Sequence, residues 1–132
     1  MLSLVMVALV AASPQAEESS VREAACRKAS VSGEATYTIR GALFFADGGG
    51  SGYRIGVTGT KRILWVTTKV EPPVPPEAAG KLKSFAAVVA GHWTLVPIRK
   101  DRPGVMREVC IVSVDDAEVQ ARKSSAAAQQ GK

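Results

Sequence analysis

From Val31 to Leu43 every second residue is apolar or small: Val31, Gly33, Ala35, Tyr37, Ile39, Gly41 and Leu43. Ser32, Glu34, Thr36, Thr38 and Arg40 alternate with them. Successive side chains of a strand point to opposite faces, so a period of two predicts a long strand with one buried face and excludes a helix there. Gly33 and Gly41 inside that run predict bends or bulges, as a strand needs when it curls around a barrel.

The rest of the chain is punctuated in the same way. Asp47-Gly48-Gly49-Gly50-Ser51-Gly52 reads as a loop and Tyr53 to Val57 as a short second strand. Thr58-Gly59-Thr60-Lys61 supplies a hairpin turn, and Arg62 to Val70 is a third strand rich in β-branched residues. The proline run Glu71 to Pro76 excludes helix interior and central strand, because proline lacks the amide donor and fixes φ. Glu77 to Lys83 can form one or two helical turns, weakened by Gly80. Strand character returns from Ser84 to Trp93, and Pro97 ends or interrupts the extension beyond it. Arg102-Pro103-Gly104-Val105 has the Pro-Gly centre that a type II turn prefers, and Val105 to Val114 is the last strand.

Three strands, a connector with a short helix, then two strands is the order of a five-stranded oligonucleotide/oligosaccharide-binding (OB) barrel. Residues 29–119 resemble small bacterial periplasmic OB-fold proteins of uncharacterised function. The likeness rests on the long first strand with internal glycine, on Val89-Ala90-Gly91, and on the last strand Val109-Cys110-Ile111-Val112-Ser113-Val114. It implies an all-β, OB-like barrel and carries over no functional residues. An immunoglobulin-like β-sandwich is the rival, but it would show about seven short strands.

Residues 1–16 read as a signal peptide. They carry no charge, their apolar run from Leu2 to Ala12 is too short to span a bilayer, and small residues precede the acidic Glu17-Glu18. Residues 17–28 read as a polar leader and residues 120–132, without core-forming side chains, as a disordered tail. A periplasmic or secreted protein with no membrane anchor after cleavage is expected. Cys26 and Cys110, the only cysteines, are then expected to form a disulfide tying the start of the domain to its last strand. The formal net charge of +5 gives a mild attraction to anionic surfaces without a polybasic arm.

Catalytic and metal-binding patterns are not visible. Gly59 is followed by Thr60 before Lys61 and by a strand, so no phosphate-binding loop forms. His92 is the only histidine, too few for a zinc site, and no G-x-S-x-G elbow accompanies it. Asp115, Asp116 and Glu118 lack calcium-loop spacing and read as a solvated strand end. No cofactor and no enzymatic activity are expected.

What remains is a basic and aromatic set on the second and third strands and their turn: Tyr53, Arg54, Lys61, Arg62, Trp65 and Lys69. OB-folds bind on that face, where aromatics stack on bases or sugars. With Leu64 and Val66 in the core, Trp65 would turn outward beside Lys61 and Lys69; a core position for Trp65 is the competing possibility. The first expectation is an exported non-enzymatic binding module for a partner protein or cell-envelope polymer. Single-stranded nucleic-acid or oligosaccharide binding through the same face is an alternative, with the export signal counting against nucleic acid. A small hydrolase using His92 and the Asp115–Asp116 pair ranks last.

Overall fold

A computed structural model describes residues 14–47, 52–84 and 86–120. Helix α1 (Pro14–Ala29) precedes strands β1 (Tyr37–Ala46), β2 (Gly52–Val57) and β3 (Ile63–Val66); helix α2 (Pro76–Ala79) then leads to β4 (Val88–Pro97) and β5 (Arg107–Gln120). The strands close into one barrel in the order β1-β2-β3-β5-β4. β1, β2 and β3 form an antiparallel meander, β4 pairs antiparallel with β1 and β5, and β5 closes the barrel on β3 in parallel. This is a small OB-like barrel with its short helix between the third and fourth strands, and the single closed sheet replaces the sandwich alternative.

Several element boundaries differ from those the sequence pattern predicts. The alternation starts at Val31, yet β1 starts at Tyr37 and Val31 is 76% exposed. Serine chemistry explains the gap: the Ser30 and Ser32 hydroxyls both donate to the Pro97 carbonyl (2.6 and 2.8 Å), and Ser32 Oγ accepts from the Glu34 amide (3.0 Å). Beyond the Val31 amide, which donates to the Ile98 carbonyl (2.8 Å), side-chain bonds to backbone take the place of the ladder in this stretch, and Gly33 turns it with φ 68°. β3 stops at Val66, four residues short of the predicted end, because the Thr67 hydroxyl turns inward to Glu108 and accepts the Lys69 amide. β4 ends at Pro97, where an amide donor is missing.

β5 runs to Gln120, six residues past Val114. Its pairing with β4 slips between Ala90 and His92 and again between Thr94 and Leu95, each time with one extra residue on β5. Such bulges bend a strand and increase its twist, and here they let a 14-residue strand wrap a 10-residue partner. Asp116, in the first irregularity, is the only described non-glycine residue with positive φ (55°).

The barrel interior is filled by Leu43, Ile55, Leu64, Val66, Val89, Trp93, Leu95, Val109 and Ile111, with Val74 and Ala78 from the α2 region packed into the same cluster. Its closest backbone approach is at Gly41. A Cβ there would lie 2.8 Å from the Gly56 carbonyl oxygen and 2.8 Å from Ile55 Cγ2. The backbone oxygen cannot swing aside, so β1 must move. Gly41→Ala is therefore expected to destabilise the fold by about 3 kcal/mol, the upper end for overpacking. A urea midpoint within about 0.5 kcal/mol of the parent, the range of a neutral surface change, would show that this contact is not tight.

The segment read as a polar leader is the ordered helix α1, packed on the outside of β5. Beneath it lies a second core of Cys26, Val70, Val96, Ile98, Cys110 and Val112. The predicted disulfide joins Cys26 to Cys110 with Cα atoms 5.6 Å apart. Four residues earlier on α1, the buried Arg22 donates through Nε and Nη2 to the Ile111 carbonyl (3.1 and 2.8 Å) and through Nη1 to that of Pro72 (2.6 Å). Burial lowers its pKa from the ordinary arginine value, while Glu18 and Glu77 oppose that shift. The boundary between signal and leader after Ala16 falls inside α1; residues 1–13, like the tail from residue 121, lie outside the described residues.

Candidate ligand groove

Alternation in β3 puts Leu64 and Val66 into the barrel and leaves Ile63 and Trp65 on the outer face. Trp65 is 38% exposed, which decides its orientation in favour of the outward one. Its partner across β2 is Arg54, whose guanidinium carbon lies 5.9 Å from the ring centroid. A guanidinium at that distance is held by the quadrupole of the indole.

The facing wall comes from the connection between β4 and β5. Arg99, Lys100, Asp101 and Arg102 lead into the Pro103-Gly104 turn, closed by the Val105 amide donating to the Arg102 carbonyl (3.2 Å). Gly104 has φ 74°, as the third position of the predicted type II turn requires. The turn brings Val105 and Met106 to line one groove with Trp65, Arg54, Arg99, Lys100, Arg102, Arg107 and Glu108. Its volume, about 580 Å³, falls within the range of small-ligand sites.

Five cations and one carboxylate line this groove. Glu108 is buried at its base, accepting from the Thr67 hydroxyl (2.6 Å) and facing Arg99 Nε at 3.3 Å. Arg107 pairs with Glu34 and lies 5.6 Å from the Tyr37 ring centroid; burial raises the Tyr37 pKa, with Arg107 opposing. Lys100 and Arg102 have no carboxylate partner among the described residues. Arg62, on the β2–β3 turn, reaches Asp101 at 2.6 Å and so ties that turn to the β4–β5 connection. The hydrogen bond from Arg62 holds the Asp101 carboxyl below the ordinary range, so the tie survives mild acidification.

The residues predicted from sequence divide. Arg54 and Trp65 line the groove, and Arg62 lines an adjoining depression with Ile63, Arg102, Val105 and Arg107. Tyr53 faces the other way, packed on the barrel core and edge-on to Phe45 with centroids 5.3 Å apart. Lys61 and Lys69 are exposed beyond the ends of β3 and line neither depression. The residues not anticipated are those of the β4–β5 connection. The signal was present in Arg99-Lys100-Asp101-Arg102, four charges directly before a Pro-Gly turn.

His92 and the carboxylates of β5 do meet: His92 Nδ1 lies 3.5 Å from Asp116 Oδ2, beside a cavity of about 500 Å³ that also includes Thr58 and Glu118. Among the described residues no hydroxyl or thiol hydrogen-bonds to His92. No group of three or more potential metal ligands occurs among the described residues.

The closed sheet, the position of α2 and the groove between β2–β3 and the β4–β5 connection define an OB-like barrel with a basic, part-aromatic cleft. Comparison with family models, curated proteins and solved structures finds no significant match for this chain.

Proposed function

We propose that this chain is an exported, non-enzymatic binding module whose ligand, a partner protein or cell-envelope polymer, lies in the groove between β3 and the β4–β5 connection. The observation that carries the reading is the convergence of an exposed tryptophan with five cations in one cleft. Apolar exposure is concentrated in the same place. Of the seven large hydrophobic side chains that are exposed among the described residues, Ile63, Trp65, Val105 and Met106 border the two adjoining depressions. A cluster of exposed apolar groups rimmed by charge marks an interaction surface more often than scattered ones do. The disulfide supports export, since such bonds persist in oxidising compartments.

The two tryptophans make the test direct. Trp93 is fully buried, so fluorescence accessible to acrylamide comes from Trp65. Polyuronate oligosaccharide, oligothymidylate and poly-L-glutamate represent the acidic glycan, nucleic-acid and protein ligands. At low salt at least one is expected to shield Trp65, with calorimetric binding that is lost in Arg99→Ala/Arg102→Ala. If none of the three shields Trp65, or if binding ignores that double variant, the groove is not the binding surface.

A further inference from the structure

We infer that the ligand of the groove is an acidic oligosaccharide, a sugar chain bearing carboxylates, with one ring lying on Trp65 and its acidic groups held by the arginines of the β4–β5 connection. This inference rests on the groove being the binding surface and adds the chemical class of the molecule bound there.

Three features define the ligand's chemistry, and the first and third of them separate a sugar chain from a nucleic acid. The first is the number of aromatic platforms. Single-stranded nucleic acid binds by stacking successive bases on successive aromatic rings. Trp65 is the only aromatic side chain that lines the groove; of the other described aromatics, Trp93 is sealed inside the barrel, Tyr37 and Tyr53 pack on the core, and Phe44, across Arg54 from Trp65, is half-buried. The other apolar lining is aliphatic, Val105 and Met106, which offers contact to C–H faces and no stacking surface for a base.

The second feature is the kind of cation. Four of the five are arginines, with Lys100 the exception. The planar guanidinium fork matches the paired oxygens of an acidic group, carboxylate or phosphate alike, and Arg102 has no carboxylate of its own among the described residues. The third is Glu108. An acid at the base of a groove repels any anion brought close to it, phosphate or carboxylate, whereas a hydroxyl can donate to it, so the place beside Glu108 suits a chain that carries hydroxyls between its charged groups. A carboxylate has about four lone-pair sites, and Thr67 and Arg99 approach it with one contact each. Cations that take acidic groups, a carboxylate that takes hydroxyls and one ring-sized apolar plate together describe an acidic sugar. The groove's volume of about 580 Å³ suits a short segment of such a chain.

Oligogalacturonate and its fully methyl-esterified form differ only in the acidic groups, so calorimetry with the disulfide-bonded protein isolates them. Oligogalacturonate is expected to bind, with the ester at least about tenfold weaker, and Trp65→Ala and Arg99→Ala/Arg102→Ala each to weaken binding by about tenfold, the scale of a lost stacking or charge-assisted contact. Unchanged far-ultraviolet circular dichroism and urea midpoints certify that these variants are folded. Equal binding of acid and ester, or binding indifferent to Trp65, overturns the inference. If oligothymidylate or phosphatidylglycerol vesicles bind with dependence on Trp65 and the arginines while oligogalacturonate does not, the ligand class is overturned and the groove stands. If no probe responds to the groove variants, the binding surface itself is refuted.

Discussion

Replacing Cys26 and Cys110 together by alanine is expected to lower the unfolding free energy by about 4.5 kcal/mol. The figure comes from loop closure: a cross-link across 84 residues of sequence removes conformational entropy from the unfolded chain that, in the chain-entropy treatment, corresponds to about 4.5 kcal/mol at room temperature. Small domains have about 5–15 kcal/mol in total, so a large part of the stability would go. Arg22 and the outer core would still hold α1 against β5, and the variant should therefore fold, with a lower urea midpoint. The slope of free energy on urea should rise at the same time, because an unfolded chain without the cross-link exposes more surface. A midpoint shift worth less than about 1 kcal/mol, below the usual range for a native disulfide, would mean that the bond contributes little beyond what α1 already secures.

The barrel was legible because its inward faces obey a period of two in a few diagnostic places. Tyr37, Ile39, Gly41 and Leu43 mark the inner face of β1, whereas on β3 the pattern leaves both orientations of Trp65 open, and the fold takes the one with Leu64 and Val66 inside. Helix α1 was not legible, for a physical reason. Its inward side is held by Cys26, by Arg22 and by alanines, so the anchors are a covalent bond and an arginine spread over carbonyl oxygens. Neither produces a hydrophobic stripe at helical spacing. The groove was half legible. Alternation sets Trp65 opposite Leu64 and Val66 without saying which set faces the core, and it puts the neighbours Tyr53 and Arg54 on opposite faces, of which only Arg54 reaches the groove. Loop residues have no such rule, and the juxtaposition of Arg99 to Met106 with Trp65 depends on how β5 closes against β3 in parallel. Val31 shows the opposite failure, an alternating pattern that two serine hydroxyls divert from the sheet.

Trp93→Ala is expected to cost about 3–5 kcal/mol, the range for emptying a large aromatic from a packed interior. Trp93 is the largest fully buried side chain, at the register position that pairs with Ile39 on β1 and Val114 on β5. Its indole N–H donates to the Gly41 carbonyl at 2.9 Å. That bond lies at the position where β1 tolerates no side chain, so the ring and the glycine specify one another across the barrel. Trp93→Phe separates the two contributions. Phenylalanine retains much of the apolar contact but leaves the carbonyl without its donor, and a buried acceptor left unpaired costs about 1–3 kcal/mol. The phenylalanine variant should thus fall between wild type and alanine in urea denaturation. It should also remove the quencher-protected fluorescence and leave Trp65 emission in place. If Trp93→Ala were to cost under about 1 kcal/mol, the barrel would have collapsed around the vacancy, and the interior would not be the close-packed one from which the outward presentation of Trp65 derives.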